Sequence, residues 1–238
     1  MSNSYFKFKQ FTIHQDSCAM KVCTDACLFG AYVAENVIPS GNLLDIGAGT
    51  GLLALMLAQK TEALIDAVEL DNEAAAQAIE NVAGSPWKER IAVINRSIQD
   101  YYKNTGKKYS LIISNPPFYE NYLKSPEIAR NTAIHAETLS LSELIDASVS
   151  LLEKHGTLAL LLPPYESSLL KTLAEAKGLF FNQVVSIKDN PEGKVIREIT
   201  FYSFAKSEVT TSEITIKTNE GDYSPAFIAL LKDYYLYL

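Results

Sequence analysis

The amino-acid sequence predicts an α/β fold in which a mostly parallel sheet carries helices on both faces and closes with an antiparallel hairpin. Apolar strand-like runs alternate with helix-like segments over residues 43–177, the order that parallel strands joined by right-handed crossovers produce. Residues 180–187 and 195–204 then follow each other without an intervening helix, and residues 190–193, Asn-Pro-Glu-Gly, supply a hairpin turn. We therefore expect one sheet of seven strands.

Each strand is predicted by a short apolar run, and the helices alternate with these runs. The predicted strands are residues 43–46, 64–69, 91–94, 109–114, 157–162, 180–187 and 195–204. The predicted helices are residues 24–36, 52–59, 72–82, 141–152 and 167–177. The first helix begins at Thr24, with an acid in its first turn. The tail adds a strand at 213–217 and a short helix from about residue 225.

A chain of 238 residues, 47% of them apolar, is large enough for one α/β domain with a sizeable core. We expect this Rossmann-like domain over residues 24–206, after an N-terminal segment of residues 1–23. Residues 207–238 are expected to form a C-terminal extension that packs on the same domain.

The composition argues against a membrane protein and against a metal site. No apolar stretch approaches the ~20 residues that span a bilayer, and the N-terminus lacks an apolar run of the signal-peptide type. Cys18, Cys23 and Cys27 contain no C-x-x-C pair, and the three histidines are scattered. The sequence therefore predicts a cytoplasmic protein without a metal.

A glycine-rich loop follows the first predicted strand. Residues 45–51 read Asp-Ile-Gly-Ala-Gly-Thr-Gly and lead directly into a predicted helix. Gly47, Gly49 and Gly51 permit positive φ and let a ligand approach the backbone closely. The third glycine comes one residue too early for the dinucleotide pattern G-x-G-x-x-G. The loop therefore has the context of a cofactor loop but not the spacing of a dinucleotide site.

Residues 115–118, Asn-Pro-Pro-Phe, follow a buried strand, and ligands of open α/β sheets bind at such carboxyl ends. The two prolines fix φ and remove N–H donors, so the local carbonyls point in set directions. The Asn115 Oδ1 and the Pro116 carbonyl can then accept both hydrogens of one NH2 group, while Phe118 stacks on the ring that carries it. This geometry suits an amine on a planar heterocycle or a planar amide. A simple proline turn is the alternative.

Two further acids follow the next predicted strands. Glu69 lies about 20 residues beyond the glycines, the spacing at which an acid takes the ribose hydroxyls of an adenosine cofactor. Its carboxylate can accept from both hydroxyls, and a solvated loop acid is the alternative. Asp71 is expected to cap the next helix. Asp100 follows the strand at 91–94, and a helix N-cap is its alternative role.

Taken in order, these motifs resemble those of the class I S-adenosylmethionine-dependent methyltransferases. The spacing D-x-G-x-G-x-G resembles motif I of that class, and Asn-Pro-Pro-Phe resembles the motif of its amino-methyltransferases. Residues 8–13, Phe-Lys-Gln-Phe-Thr-Ile, and residues 18–26, Cys-Ala-Met-Lys-Val-Cys-Thr-Asp-Ala, are similar to the tRNA1(Val) (adenine-37-N6)-methyltransferase family. Cys23 and Ala26 stand where that family typically has glycine.

The resemblance implies that S-adenosylmethionine is the cofactor and that Asp45 lies near its methionine end. It implies that Asp100 meets the adenine amino group of the cofactor. It also implies that Gln10, Lys21 and Thr24 close over the cofactor.

The methyl acceptor implied by the resemblance is the exocyclic N6 of an adenine in tRNA, adenine 37 in the anticodon loop of tRNA1(Val). Asn115, Pro116 and Phe118 would form the catalytic turn, and Asn115 would also touch the cofactor. The base must leave its stack to reach such a pocket.

A net charge of −7 conflicts with an RNA partner unless the basic residues are locally concentrated. We expect a basic rim around the site, formed by Lys7, Lys9, Lys21, Lys107, Lys108, Lys124 and Arg130. Lys7, Lys9 and Arg130 are the candidate RNA contacts. Ordinary surface lysines and a salt-bridged helix arginine are the alternatives.

Three other functions share these motifs. One is guanine-N2 methylation of ribosomal RNA, because phenylalanine also occurs at the fourth motif position there. Another is glutamine methylation of release factors, although those enzymes usually carry an additional N-terminal helical domain. The third is a non-catalytic S-adenosylmethionine-binding module, against which the intact Asn115 argues.

Overall fold

The computed structural model describes residues 3–18, 20–37, 41–117 and 139–238. The strands are β1 (Tyr5–Lys7), β2 (Thr12–His14), β3 (Leu43–Ile46), β4 (Ile65–Glu69), β5 (Ile91–Asn95), β6 (Tyr109–Ser114), β7 (Leu152–Leu162), β8 (Phe180–Lys188), β9 (Val195–Ser203) and β10 (Thr210–Thr215). The helices are α1 (Thr24–Asn36), α2 (Leu52–Ala58), α3 (Asn72–Ala83), α4 (Ile98–Asn104), α5 (Leu141–Leu151), α6 (Pro164–Ala176) and α7 (Pro225–Leu231).

The main sheet has the strand order β10-β8-β9-β7-β6-β3-β4-β5. Strands β7, β6, β3, β4 and β5 are mutually parallel, and β9 is antiparallel to both β7 and β8. The predicted parallel sheet with a closing hairpin is confirmed. The sheet contains an eighth strand because β10, from the tail, pairs in parallel with β8 and covers an edge that would otherwise be exposed.

The chain order reverses between β3 and β6. From β3 the chain proceeds to β4 and β5 on one side, and it then returns to β6 on the other side. Ligands of such sheets bind at this reversal, outside the carboxyl ends of the strands. The glycine loop follows β3, residues 115–118 follow β6, and Glu69 ends β4. The three predicted motifs therefore share one edge of the sheet.

Two apolar clusters hold the sheet between its helices. One contains side chains of α1, α2 and α7, and the other contains side chains of α5 and α6. Adjacent residues of β3 point to opposite clusters: Leu43 belongs to the first and Leu44 to the second. All four residues of β3 are buried, as expected for a central parallel strand covered on both faces.

Helix α4 is an element that the sequence did not predict. It has seven residues, and its N-cap is Ser97, whose side chain accepts from the Asp100 N–H at 3.1 Å. Buried Tyr101 attaches it to the sheet, because its hydroxyl donates to Asp66 Oδ2 at 2.9 Å. Such a short helix depends on tertiary contacts, which a local pattern does not reveal.

The N-terminal segment packs along α3 through buried amide side chains. Asn81 is 2% exposed; its Oδ1 accepts from the His14 N–H, while its Nδ2 donates to the carbonyls of His14 and Thr50. Gln77, one helical turn earlier, accepts from the Ser17 N–H and donates to Asp16. These two residues fix the path of residues 14–17 over the domain. Their i, i+4 spacing on an otherwise apolar helix face is the signal that would have identified them.

We expect Asn81→Ala to lower the free energy of unfolding by about 2 kcal/mol, because it removes the partners of the part-buried His14 N–H and of the buried Thr50 carbonyl. Urea denaturation measures this change. Glu80→Ala, at the exposed neighbouring position, is the matched control and should change stability by less than about 0.5 kcal/mol. Equal effects of the two substitutions would contradict the assigned role of Asn81.

Candidate active site

The glycine loop adopts a backbone that only glycine accommodates easily. Gly47, Gly49 and Gly51 have φ values of 72°, 54° and 81°. The N–H groups of Gly47 and Ala48 both donate to the Val68 carbonyl, which ties the loop to the end of β4. A Cβ atom added at Gly47 or Gly49 would meet no atom within 4 Å. The loop therefore presents open backbone at the edge of the sheet.

Asp45, the last but one residue of β3, is fully buried beneath this loop. Its Oδ2 accepts from the Ala54 N–H at 3.2 Å, whereas its Oδ1 has no hydrogen-bond partner among the described residues. Burial raises the pKa of the Asp45 carboxyl to about 7; the hydrogen bond from Ala54 opposes this change, and the nearby Glu69 charge adds to it. An orphaned, buried acceptor of this kind suits a cationic ligand group.

We expect Asp45→Asn to remove a pH dependence of folding stability. Because the pKa of Asp45 rises from 3.8 to about 7 on folding, the folded state binds the proton more tightly, so stability falls as pH rises between these values. The stability difference between variant and wild type should therefore increase by on the order of 4 kcal/mol from pH 4 to pH 8. Ligand-free denaturation at several pH values measures it, and a constant difference would contradict the prediction.

The carboxylate of Glu69 is held in place by two backbone N–H groups. Its Oε2 accepts from Gly49 at 2.7 Å, and its Oε1 accepts from Asp71 at 2.9 Å. Each carboxylate oxygen has two lone pairs, so each oxygen can accept a further hydrogen bond from a ligand hydroxyl. Glu69 is therefore directly coupled to the glycine loop, which is inconsistent with a merely solvated loop acid.

The residues that follow Glu69 and β5 have distinct local roles. Asp71 is the N-cap of α3 and accepts from the Ala74 N–H at 2.8 Å, which confirms its predicted capping role. Asp100 is exposed in the first turn of α4, whose N-cap is Ser97. The alternative N-cap role for Asp100 is therefore wrong. Its contact with the adenine of a cofactor remains a prediction.

The end of β6 brings Asn115 beside the glycine loop. Ser114 is fully buried, and its Oγ donates to the Ile46 carbonyl at 2.7 Å, which joins the ends of β6 and β3. Asn115 follows directly and is half-buried, Pro116 is buried, and Pro117 is exposed. The Asn115 amide therefore stands at the reversal point of the sheet, adjacent to the loop that begins at Gly47.

Sequence reasoning missed a segment that contacts Asn115 at this edge. We call residues 15–18 and 20–22 the strap. It contacts α3 at Gln77 and brings Met20 to Asn115, whose Nδ2 donates to the Met20 Sδ at 3.8 Å. The sequence contained a signal, because Met20 lies within the stretch 18–26 that is similar to the family.

Lys21 lies near the end of the strap, and Thr24 follows the strap at the start of α1. Lys21 is exposed, and Thr24 is the exposed first residue of α1. Cys23, which replaces a family glycine, is the helix N-cap with φ of −127°, an extended conformation open to any residue. Ala26 lies inside α1, where alanine is more favourable than glycine. Contacts of Lys21 and Thr24 with a cofactor remain predictions.

Gln10 lies elsewhere. It is on the turn between β1 and β2, which lines a cavity of about 380 Å³ with Glu80 and Gly84 at the C-terminal end of α3. Glu69 precedes the opposite end of this helix, and a helix of twelve residues is about 18 Å long. The structure therefore does not bring Gln10 to the edge of the sheet where the cofactor is expected. Buried Phe11 packs against Trp87 and anchors the turn in this position.

The expected basic rim is also partly wrong. Lys107 and Lys108 precede β6, a strand of six residues, so about 20 Å separates them from its carboxyl end. The Nζ of Lys107 lies 2.6 Å from Asp66, and that of Lys108 donates to a backbone carbonyl. Lys7 and Lys9 line the distant cavity that contains Gln10. Lys107 and Lys108 were wrongly grouped with the site because they lie at the amino end of β6, whereas Asn115 lies at its carboxyl end.

Phe118, Lys124 and Arg130 lie outside the described residues, so their predicted roles in stacking and RNA binding remain predictions. Within the described ranges, no helix is long and apolar enough to cross a membrane. The same part of the chain has no group of three or more side chains able to bind a metal ion.

The strand order and the glycine loop define the class of this protein, and comparison with known proteins agrees. Residues 26–177 match the methyltransferase small domain family. A solved structure from Agrobacterium tumefaciens, described as a predicted O-methyltransferase, aligns with a TM-score of 0.64 at 18% identity over 88% of this chain and 96% of that one. The ribosomal protein L11 methylase of Lactobacillus delbrueckii subsp. bulgaricus aligns with 0.54 at 18% identity, over 79% and 82%. The fold is that of a Rossmann-like methyltransferase.

Closer relatives specify the family. The tRNA1(Val) (adenine(37)-N6)-methyltransferase of Trichodesmium erythraeum is 44% identical over 99% of each chain, and that of Cytophaga hutchinsonii is 43% identical over the full length of both. The equivalent protein of Pseudoalteromonas translucida is 42% identical over 98% of this chain and 99% of its own. The chain belongs to the tRNA1(Val) (adenine(37)-N6)-methyltransferase family.

Proposed function

We propose that this protein transfers a methyl group from S-adenosylmethionine to the exocyclic N6 of an adenine in tRNA, at position 37 of tRNA1(Val). The observation that carries the proposal is the position of Asn115. Its amide follows β6 and adjoins the glycine loop across the hydrogen bond from Ser114 to Ile46. An amine gripped by this turn is thereby adjacent to a cofactor held by the loop.

The residues present fit S-adenosylmethionine. The open backbone at Gly47 and Gly49 leaves room for a ligand, and Glu69 presents two oriented carboxylate oxygens to ribose hydroxyls. The orphaned Oδ1 of Asp45 lies beneath the loop, where it can take the cationic amino group of the methionine moiety. When bound, the cofactor supplies an electrophilic methyl group on a sulfonium. Asp100 is assigned to the adenine amino group.

The turn after β6 positions the acceptor. The lone pair of an adenine N6 is delocalised into the ring, which makes the amine a poor nucleophile. Hydrogen bonds to the Asn115 Oδ1 and the Pro116 carbonyl favour a pyramidal nitrogen and direct its lone pair. Alignment of two reactants can supply ~7–11 kcal/mol of the barrier. Asn115 does not titrate, so the proton lost after transfer goes to water.

The RNA must bind despite a net charge of −7. Lys21, at the end of the strap, and Arg130, after the catalytic turn, are the nearest candidates in sequence, and arginine binds phosphate bidentately. Lys7 and Lys9 at the distant cavity can meet RNA outside the anticodon loop. Binding carried by a few cations should weaken as salt increases. A tRNA substrate supports the proposal that the enzyme acts in the cytoplasm.

Methylation of an unmodified tRNA1(Val) transcript with labelled cofactor, followed by nucleoside digestion and mass analysis, tests the proposal. We expect N6-methyladenosine, and no label in a transcript that carries guanine at position 37. The same assay is run with ribosomal RNA and with a release factor as substrates. N2-methylguanosine in the ribosomal RNA, or a labelled release factor, would replace the proposal with one of the alternative methyltransferases. Cofactor binding with no transfer to RNA or protein would indicate a non-catalytic module.

A further inference from the structure

The strap brings an exposed methionine to the proposed catalytic amide. Met20 remains 48% exposed, whereas Met56 is completely buried in the core. Core packing therefore does not explain the position of Met20. Its contact with Asn115 joins residues 95 positions apart in the chain, and the Nδ2-to-Sδ distance is 3.8 Å.

Hydrogen bonds to two buried glutamine side chains define the conformation of the strap at its beginning and its end. Gln15 is 5% exposed, and its Oε1 accepts from the Val22 N–H at 2.8 Å, which closes the strap into a loop. Gln77, also 5% exposed, accepts from the Ser17 N–H at 3.0 Å and so attaches the strap to α3. These contacts leave Met20 at the tip of a constrained loop rather than on a free terminus.

A thiol supports Met20 directly. The Cys18 Sγ donates to the Met20 carbonyl at 3.0 Å and approaches the Gln15 carbonyl at 3.5 Å. Burial raises the pKa of the Cys18 thiol above its usual value of 9.0, so it stays protonated and can donate at neutral pH. The Met20 backbone is therefore held from within the strap.

The chemistry of the Met20–Asn115 contact distinguishes the two orientations of the amide. A thioether sulfur accepts hydrogen bonds weakly and has no hydrogen to donate. Sulfur can therefore pair with the Asn115 Nδ2 but not with its Oδ1. With Nδ2 directed at Met20, Oδ1 points away from the strap. A rotation of 180° would place Oδ1 against sulfur and lose the hydrogen bond.

We propose that Met20 is a positioning residue for methyl transfer: its thioether selects the Asn115 amide orientation in which Oδ1 can accept from the amine. This inference rests on the proposed function, because it assigns Asn115 to the amine. Met20 itself takes no proton and forms no bond with the methyl group. The segment that carries it is thereby a structural part of the acceptor site.

Met20→Leu tests the proposal, because leucine retains apolar bulk and lacks the sulfur acceptor. We expect kcat for tRNA methylation to fall about fivefold, the factor that a typical net hydrogen bond represents, with the Kd for S-adenosylmethionine unchanged. Ile228→Leu, at a 40% exposed position on α7, is the matched control and should leave kcat unaltered. Met20→Ala should reduce kcat at least as much as Met20→Leu.

The effect of Met20→Leu on kcat in the Asn115→Asp background distinguishes a positioning role of Met20 from a merely structural one. A carboxylate has no N–H to donate to sulfur, and its two oxygens are equivalent, so its rotation has no consequence. In that background Met20→Leu should leave kcat unchanged, which a double-mutant cycle detects as coupling. If turnover of Asn115→Asp is too slow to measure, the Cys18 hydrogen bond to Met20 provides a second test. Cys18→Ala removes this donor and should lower kcat, whereas Cys18→Ser retains a donor and should keep kcat near the wild-type value.

Three results would overturn the inference: a kcat for Met20→Leu equal to that of Ile228→Leu, an increase confined to the KM for tRNA, or the same loss of kcat in both Asn115 backgrounds. Different results would contradict the proposed function itself. In that case Asn115→Ala would retain full activity, or no N6-methyladenosine would form, whatever Met20 does.

Discussion

Asn115→Ala is expected to lower kcat by at least about 100-fold, which is the usual cost of removing one hydrogen bond that positions or stabilises the reacting group. The substitution removes the Oδ1 acceptor and leaves the Pro116 carbonyl alone to orient the amine. Single-turnover methylation of the tRNA1(Val) transcript measures the chemical step directly. The loss should appear in kcat rather than in KM, because the interaction is realised in the transition state.

The fold and the cofactor site should survive this substitution. Asn115 is half-buried at the end of a strand, and Ser114 retains its link to Ile46. Cofactor affinity, measured by calorimetry, should change by less than about tenfold, because Glu69 and the glycine loop are intact. Asn36→Ala provides the control: this exposed asparagine at the end of α1 donates to the Tyr32 carbonyl, far from the site. Unchanged methylation by Asn115→Ala would end its assignment as a catalytic residue.

Glu69→Gln should weaken S-adenosylmethionine binding by on the order of 50-fold. The carboxylate accepts from Gly49 and Asp71 at the same time as it offers lone pairs to the ribose. In glutamine, one of these oxygens becomes an NH2 group that faces an N–H donor, so one backbone contact and one ribose contact are lost. A hydrogen bond to a charged group is worth about 1.5–3 kcal/mol, and each 1.4 kcal/mol is a tenfold change in Kd.

Calorimetric titration of the cofactor measures this effect, and the stabilisation of the protein by the cofactor gives a second reading. At a fixed cofactor concentration the increase in Tm should be much smaller for Glu69→Gln than for wild type. Glu73→Gln, an exposed substitution in the first turn of α3, removes the same charge without touching the loop and should bind normally. Equal affinities of the two variants would show that Glu69 is not the ribose acid.

Local patterns were sufficient for most elements of the sheet. The strand at residues 109–114 and the first helix have the predicted bounds, because each is a continuous run between clear start and stop signals. The glycine loop and the Asn-Pro-Pro turn were predictable for the same reason, since a strand, its loop and the next helix are contiguous. Helix α4 and the short β1 and β2 strands were missed because they depend on tertiary contacts.

The N-terminal segment shows what local sequence patterns cannot predict. Gln10 and Met20 both lie in stretches that resemble the family, and the resemblance gave a site role to Gln10 but none to Met20. In the structure, Phe11 directs Gln10 to the far end of α3, and the strap directs Met20 to Asn115. The amides of Gln77 and Asn81 determine this path through contacts with residues 60 and 67 positions away.

By itself, the sequence determined the class of fold, the order of its motifs and the edge of the sheet at which they meet, because alternating strands and helices impose that geometry. Only the tertiary structure decided which charged and polar groups reach that edge. It placed Gln10 away from this edge and brought Met20 to it, since both positions depend on long-range packing and hydrogen bonds rather than on neighbouring residues.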